Sequence, residues 1–428
     1  MNNTHTYTIT FISVDDLQYL SFAYSDPKDE FSNIIEIVKY YILPGINVKD
    51  GSVYSMTVTE QLCENYEQLA KALKPLKLHK LNALPSWLRK VGTGSHFAVV
   101  MNHPVSTDEA IAIQARLNEL QGGIPAQQYM EQIEQTAGII WQNYGIYAHS
   151  GDRPAHIGEP DKTKRRCRYC GRTQAEGAKF TKKGHTISEG LGNKSIITRD
   201  ECDECNAYFG QNAEQDFIKY IDPLRVFFGI HGKESKITEV KGSNYAIQSS
   251  DDERKRFEIK IFEESKNSPD SDTYELRLEH NGEIVVQNIY KALAKFAFGI
   301  IPDNLLPDFA RTAEWLSGKI DKQKLPLVRI ANLNGFKPAP AITVYIRNND
   351  NKSLPFAIGE FHLLNMIFVY IIPTFTDGEE RFCDRNEWTE VLSIFKIWES
   401  VGWTWRDFSS LERIKPVTKL NFQQRENH

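Results

Sequence analysis

The sequence has few of the features that mark secreted or membrane proteins. Its 428 residues include only six cysteines, and the N-terminus lacks the basic stretch followed by an apolar stretch that forms an export signal. The most apolar run, residues 361–375, contains His362 and Asn365 and is shorter than a membrane-spanning helix requires. We therefore expect a cytoplasmic protein with no membrane partner, and we predict a buried strand pair for this run.

Internal repeats and low-complexity tracts are also absent from the sequence. Hydrophobic residues make up 41% of the chain and charged residues 25%, which is ordinary for a globular protein. A chain of this length can bury several hydrophobic cores, so we expect about two to four domains.

Four of the six cysteines form two Cys-x-x-Cys pairs. Cys167 and Cys170 make the first pair, and Cys202 and Cys205 make the second. Together they supply the four thiolates that a closed tetrahedral zinc site needs, so we predict a structural Zn²⁺. A disulfide is the alternative, but nothing else in the chain indicates secretion. A thioredoxin-like redox motif would use one pair within a strand and helix, and two matched pairs argue against it.

The segment between the cysteine pairs contains a strand-like run that ends at His185, followed by a Gly-rich loop that reaches Asn193. The second pair then runs directly into Asn206-Ala207-Tyr208-Phe209-Gly210. This pattern resembles the HNH endonucleases, or ββα-metal nucleases, in the branch with the signature Cys-x-x-Cys, His-x-Ile-x-Glu-x-Leu-Gly-Gly/Asn and Cys-x-x-Cys-Asn-x-x-Phe-Gly. The resemblance covers residues 161–236 closely and extends to a helical segment at 290–295.

The resemblance implies metal-dependent hydrolysis of DNA, with Mg²⁺ or Mn²⁺ at the active centre and Zn²⁺ kept structural. It implies that His185 is the general base, a role that suits the pKa of imidazole. A structural His, or a ligand in place of a cysteine, are the alternatives. It also implies that Asn206 binds the catalytic metal, with a helix N-cap as the alternative. Glu214 is a candidate contact to the metal or substrate, or a surface residue.

Two positions depart from the HNH pattern. Many relatives carry Asp or Glu directly before the catalytic His as a principal metal ligand, whereas this chain has Gly184. Glu189 is the nearest carboxylate, and we take it as a candidate ligand of the catalytic metal. Asn193 lies earlier than the usual middle Asn, so it either orients His185 or takes the positive φ of a tight turn after Gly192.

Residues 161–200 form a basic segment in an acidic chain. They contain 11 Lys or Arg and 4 Asp or Glu, a net charge of 11 − 4 = +7, while the whole chain has a formal charge of −5. Such a cluster can hold a nucleic-acid backbone through sequence-independent contacts, and a solvated surface is the alternative. The candidate nucleic-acid-binding residues are Lys164, Arg165, Arg166, Arg168, Arg172, Lys182 and Lys183.

We predict an α+β multidomain protein. Its central treble-clef-like ββα-metal HNH module, with the structural zinc, is predicted at 165–236 after a linker at 151–164. An N-terminal α/β domain is predicted at 1–150, and a C-terminal mixed α+β domain at 237–428. The flanking domains are expected to serve recognition, regulation or oligomerisation.

Within the N-terminal domain, residues 7–12 and 97–101 have the patterns of strands, the second buried on both faces. Ser106 opens a helix that ends before Gly122, and residues 125–144 have helical spacing.

In the C-terminal domain, residues 256–262 and 274–278 alternate as a hairpin, and 341–347 as a strand. We predict helices at 284–298 and 387–398.

The leading functional hypothesis is a DNA endonuclease of restriction or anti-phage defence, with a partner subunit or an activating ligand left open. A second hypothesis is a zinc-stabilised nucleic-acid-binding protein without catalysis, which Gly184 supports. A third is an RNA nuclease. An HNH site has one metal centre per chain, so double-strand cutting would favour a homodimer, whereas nicking would not.

Overall fold

The computed structural model describes residues 5–24, 30–74, 81, 84–103, 105–227, 230, 239–249, 257–262, 273–376, 378–395, 398 and 401–423. The chain divides into two compact units, Met1–Gly138 and Ile139–His428. Both combine helices with mainly antiparallel strands, which confirms the α+β class. In the part of the chain that the structure describes, no helix has the length and apolar character needed to cross a membrane.

The first unit is built on one sheet, whose strands are β1 (His5–Ile12), β2 (Leu17–Tyr24), β3 (Val53–Thr57) and β4 (His96–Met101). The spatial order is β2-β1-β4-β3, and every neighbouring pair is antiparallel. Both faces of β4 are covered, because Phe97 and Val99 join one apolar cluster and Ala98 and Val100 join another. The two predicted strands are confirmed. The predicted α/β class is wrong, since an antiparallel sheet makes this unit α+β.

The helices of the first unit are α1 (Glu30–Ile42), α2 (Glu60–Ala72), α3 (Leu84–Val91), α4 (Thr107–Leu120) and α5 (Ala126–Ile133). The predicted α4 begins at a capping box, in which Ser106 and Glu109 each accept the other's backbone N–H. The helix predicted at 125–144 occurs in three pieces, because a π-helical turn (Glu134–Gly138) separates α5 from α6 (Ile139–Asn143).

The second unit begins at α6. Its further elements in chain order are β5 (Tyr144–Ser150), β6 (Ala155–Ile157), β7 (Gly184–His185), β8 (Ile196–Thr198), α7 (Asp203–Gln211), α8 (Ala213–Phe227), β9 (Glu239–Lys241), β10 (Tyr245–Ser249), β11 (Phe257–Ile261), β12 (Thr273–Glu279), β13 (Ile284–Val285), α9 (Val286–Phe298), α10 (Ala310–Leu316), β14 (Val328–Arg347), β15 (Ala357–Ile371), α11 (Thr389–Ile394), β16 (Trp403–Arg406), β17 (Arg413–Ile414) and β18 (Val417–Gln423).

The largest sheet of the second unit has the order β15-β14-β16, and β5 also pairs with β14. The strand pair predicted at 361–375 is wrong: residues 361–371 lie in the single strand β15, which pairs antiparallel along β14, and residues 372–375 follow it outside any strand. The sequence-based boundary at residue 150 lies inside this unit, at the end of β5.

Two other predicted elements of the C-terminal part are wrong. The expected hairpin of 256–262 with 274–278 does not form, because β11 pairs with β10 and β12 pairs with β18. Residue 256 and the loop at 265–271 lie outside the described residues. The expected helix at 387–398 is α-helical only in α11, which follows a 3₁₀ turn, and strands come after it.

Near the cysteine pairs lie three short strands and the helices α7 and α8, of which α7 begins at the second pair. The strands have the order β6-β8-β7, with β6 parallel and β7 antiparallel to β8. Behind them, α9 contacts both α8 and β15, and most of its side chains are buried. The helix predicted at 284–298 is confirmed from residue 286 onward. It packs behind the segment that contains His185.

Candidate metal centre and catalytic site

The four cysteines of the two pairs come together as predicted. Their Sγ atoms all lie within 4.8 Å of one another, and three of the four residues are buried. A tetrahedral ion with Zn–S bonds of about 2.3 Å would separate its sulfurs by about 3.8 Å. The Sγ atoms of Cys170 and Cys202 are 3.8 Å apart. The cluster therefore fits a four-coordinate metal ion, while all six cysteines are free thiols and the disulfide alternative is wrong.

Local backbone bonding explains why the two pairs converge. The first pair sits on a tight turn, in which the Gly171 N–H donates to the Cys167 carbonyl and Gly171 has a φ of +75°. Cys202 is the N-cap residue of α7, which places Cys205 in the first turn of that helix. The Cys202 N–H also donates to the Cys167 Sγ over 3.4 Å, so the helix start faces the first pair.

Electrostatics within the thiol cluster favour a shared negative charge. The pKa of Cys202 is lowered because the thiols of Cys167 and Cys205 donate hydrogen bonds to its sulfur. The hydrogen bond to Cys202 in turn raises the pKa of Cys167 to about 12. Thiols that share protons in this way exchange them for a divalent cation when it binds.

An ion pair beside the cluster removes Arg168 from the candidate nucleic-acid-binding residues. Its buried guanidinium forms a two-point contact with Asp200, at 2.8 and 3.0 Å. Its remaining nitrogen donates to the carbonyls of Phe298, Gly299 and Ile301 at the C-terminal end of α9. Cations stabilise helix C-termini in this way, so Arg168 joins the first cysteine pair to α9.

The other basic candidates separate by exposure. Arg165 is buried and donates to the carbonyls of Glu159 and Pro160, so we also withdraw it as a nucleic-acid contact. The charge pattern does not reveal that Arg165 and Arg168 are buried, because the groups that pair with them are backbone carbonyls and the carboxylate of Asp200, which is distant in the chain. The side chains that remain at least partly exposed are Lys164, Arg166, Arg172, Lys182 and Lys183, of which Lys164 pairs with Asp161 and Arg172 with Glu204.

His185 lies on the two-residue strand β7 with only 14% of its side chain exposed. Its Nε2 atom is 3.6 Å from the Glu189 carboxylate, and its buried Nδ1 has no hydrogen-bond partner among the described residues. Burial lowers the pKa of His185, and the charges of Lys295 and Lys183 lower it further, against the opposite effect of Glu189. The imidazole is therefore neutral at pH 7 and able to accept a proton.

Close packing explains why the residue before His185 is a glycine. A Cβ atom at Gly184 would lie 2.7 Å from Oε2 of Glu201 and 2.7 Å from the Thr198 carbonyl. Neither Asp nor Glu fits there without displacement of β8 or Glu201. The carboxylate that the resemblance leads us to expect at this position is absent, and the backbone instead packs closely against the buried Glu201.

Asn193 holds the loop between β7 and β8. Its fully buried amide donates to the carbonyls of Ile187 and Ile196, at 2.8 and 3.1 Å, and accepts the N–H groups of Ser195 and Ile196. The positive φ predicted for this turn belongs to Gly192, at +88°, and not to Asn193. Asn193 therefore fixes the backbone that follows His185, without a hydrogen bond to its ring among the contacts of the described residues.

Asn206 is the fourth residue of α7, so the N-cap alternative is wrong. Its amide nitrogen donates to the Lys183 carbonyl over 3.3 Å, two residues before His185, which leaves its side-chain oxygen available as a ligand. Within the described ranges, His, Cys, Asp and Glu side chains form no second group of three or more that could bind a metal. Asn206 and Glu189 remain the candidate ligands of a catalytic metal. No cluster of His, Cys, Asp and Glu side chains among the described residues marks a site for that metal.

Sequence reasoning missed Lys295. Its ammonium group lies 2.7 Å from the His185 carbonyl oxygen and 2.6 Å from Oε1 of Glu214, and the residue is buried. Glu214 is likewise buried, so the prediction of a surface residue is wrong. The available signal was one lysine within the otherwise apolar run at 292–298, which lies on the helix noted from the resemblance.

Comparisons of the chain with family models, with curated proteins and with solved structures find no match.

Proposed function

We propose that this protein is a metal-dependent endonuclease of the HNH type that hydrolyses phosphodiester bonds in DNA. One observation carries the proposal: a largely buried His185 lies on a short strand, and the amide of Asn206, which directly follows the cysteine cluster, donates to the carbonyl two residues before His185. These are the positions at which the HNH signature has its general base and its helix-borne ligand.

The ion in the cysteine cluster is proposed to be Zn²⁺ with a structural role. Four thiolates close a tetrahedral zinc shell, and a closed shell leaves no position for water or substrate. Cys167, Cys202 and Cys205 are buried, which supports this assignment. The zinc would fix the start of α7 against the first cysteine pair, and so hold Asn206 near Lys183.

In the proposed mechanism, His185 accepts a proton from the water that attacks the phosphate. A neutral imidazole at pH 7 suits that role. Asn206 and Glu189 are the side chains that would hold Mg²⁺ or Mn²⁺, which when bound neutralises charge on the phosphate and leaving oxygen. The free amide oxygen of Asn206 and the 40% exposed carboxylate of Glu189 support this pair.

The exposed Lys182 and Lys183 are proposed to contact the DNA backbone. They directly precede β7, so a phosphate near His185 would lie within reach of their side chains. By analogy with other HNH proteins, the biological setting is restriction or anti-phage defence in the cytoplasm, and the need for a partner subunit or small activator is left open.

One observation favours a second candidate function, a zinc-stabilised nucleic-acid-binding protein without catalysis. Gly184 cannot carry the carboxylate that serves as metal ligand in many HNH relatives, because Glu201 and the Thr198 carbonyl occupy the space of its Cβ. On this hypothesis DNA binding persists, and removal of the His185 ring changes nothing measurable.

Cleavage of supercoiled plasmid in Mg²⁺ or Mn²⁺ tests the proposal against this second candidate. We expect the intact protein to give nicked or linear DNA and His185→Ala to give none. His156→Ala is the matched control, since His156 is an exposed imidazole on β6 in the same small sheet. Equal inactivity of intact protein and His185→Ala, with DNA binding retained by both, would favour the non-catalytic function. Parallel reactions on RNA distinguish the two substrates.

A further inference from the structure

The buried ammonium group of Lys295 is the least expected feature near the candidate site. Lys295 lies on α9 with 1% of its surface exposed. Its Nζ atom contacts Oε1 of Glu214 at 2.6 Å, the His185 carbonyl at 2.7 Å, the Thr186 carbonyl at 3.3 Å and Oε2 of Glu201 at 3.6 Å. All of these acceptors belong to the cysteine-rich segment and α8, more than 80 residues earlier in the chain.

Burial of an ammonium group is costly unless its charge and all of its donors are matched. Here burial disfavours the charge on Lys295, but Glu201 and Glu214 outweigh it and raise the pKa of Lys295. Neutralisation alone would need only one carboxylate, which Glu214 supplies at 2.6 Å, while burial raises the pKa of Glu201 to about 7. The shortest backbone contact instead goes to the carbonyl of His185, so the lysine also fixes the peptide that carries the candidate base.

Close packing supports the same connection between α9 and β7. A Cβ atom at Gly299, the residue after α9, would lie 2.7 Å from the Thr186 side chain. Arg168 binds three carbonyls at that same end of the helix. The two-residue strand β7 thus has α9 directly behind it, with Lys295 as the polar contact between them.

We propose that Lys295 is a positioning residue for His185, and that α9 is part of the functional site. This inference rests on the proposed nuclease function for its catalytic meaning. In structural terms, we infer that contacts within residues 165–236 are not enough to hold His185 in place, and that Lys295 of α9 is also needed. In a role limited to neutralising Glu201 and Glu214, the charge of Lys295 would matter and the exact position of its nitrogen would not.

Three full-length variants separate these roles. Lys295→Met removes the charge and the hydrogen bonds, whereas Lys295→Arg keeps the charge but cannot place a nitrogen in the same position. Lys291→Met is the matched control, because Lys291 lies one turn earlier on α9 and stacks on Trp315. Hydrogen exchange of the amides at 184–187 is measured in each zinc-loaded protein, together with the single-turnover nicking rate and DNA affinity.

Positioning predicts that exchange at 184–187 rises at least about tenfold in both Lys295→Met and Lys295→Arg, and stays unchanged in Lys291→Met. The nicking rate should fall in the variants whose exchange rises, while their DNA affinity stays within about twofold of the wild-type value. Wild-type exchange in Lys295→Arg, or an equal rise throughout α7 and α8, would overturn positioning in favour of charge balance or general destabilisation. If Lys295→Met does not fold, exchange at 184–187 in Lys295→Arg alone distinguishes positioning from charge balance.

Absence of nicking by the wild-type protein would contradict the nuclease proposal. The exchange comparison would still test whether Lys295 holds β7, so the two failures are distinguishable.

Discussion

The two compact units of this protein are stabilised in different ways. In the first unit, a four-stranded sheet and its helices enclose an apolar cluster that includes Phe11, Tyr66, Trp87 and Phe97. Between residues 155 and 202 of the second unit, by contrast, the strands are only two or three residues long. Apolar side chains such as Phe180, Ile187 and Leu191 still pack in its core, and four thiols, the Arg168–Asp200 pair and the buried Lys295 add polar contacts to them.

The contrast between the two units shows how a segment with little regular structure can present polar side chains near its surface. An apolar core stabilises residues by removing them from water, which would also separate a catalytic group from its substrate. Metal–thiolate bonds and paired charges fix a backbone without that requirement. His185 accordingly keeps part of its ring exposed while Lys295 and Asn193 donate to the carbonyls of His185 and Ile187.

Loss of one of the four clustered thiols, the proposed zinc ligands, should have the largest effect and should destabilise only the second unit. We expect Cys202→Ser to lose the metal and to raise hydrogen exchange of the amides at 203–211 by at least about a hundredfold, because a structural metal contributes directly to folding. Exchange in β4 should stay unchanged. Cys383→Ser, which alters a thiol outside the cluster, is the control, and equal exchange in both variants would contradict the assignment.

Removal of the buried guanidinium should have the next largest effect. We expect Arg168→Met to lower the free energy of unfolding of the second unit by about 3–5 kcal/mol, since Asp200 would be left buried without a partner. The exposed Arg166→Met should change it by less than about 0.5 kcal/mol. Urea unfolding followed by exchange in each unit measures both, and a small effect of Arg168→Met would show that the pair adds little.

The pH dependence of nicking should report the environment of His185. Burial and nearby cations lower the pKa of this group, so the neutral base predominates at pH 7. The rate should be level near neutrality and fall about tenfold per pH unit once the pH drops below the lowered pKa. Lys183→Gln removes one of those cations, so its falling limb should move to higher pH. A limb that stays in place at saturating DNA would argue against His185 as the titrating base.

The smallest effect is expected from the surface lysines. Lys182→Gln with Lys183→Gln should weaken DNA binding several-fold and reduce the slope of log K against log salt by about 2, as expected for two phosphate contacts. Lys90→Gln, at an exposed site on α3 in the first unit, should leave the slope unchanged. An unchanged slope in the double variant would place the DNA elsewhere.

Local spacing accounts for what the sequence predicts correctly. The convergence of Cys167, Cys170, Cys202 and Cys205 follows from two short motifs, and the capping box at Ser106 from two residues three positions apart. Such features depend on neighbours in the chain. They are therefore visible without knowledge of the fold.

Features that depend on distant partners were not predictable in the same way. The basic segment suggested a uniform surface, yet Arg168 pairs with Asp200 and with the end of α9. The strand β12 was assigned to a nearby hairpin, yet its partner β18 lies near the C-terminus. Lys295 contacts His185 across 110 positions, a separation that no motif encodes.

The most direct single test of the account is zinc titration of metal-stripped full-length protein, with plasmid nicking in Mg²⁺ as the measurement. If the cysteine cluster holds the His185 region in its active arrangement, stripped protein should be inactive. Its nicking rate should then rise with added Zn²⁺ and level off at about one equivalent per chain. Nicking at the full rate without zinc, or no nicking at any zinc level, would contradict the account.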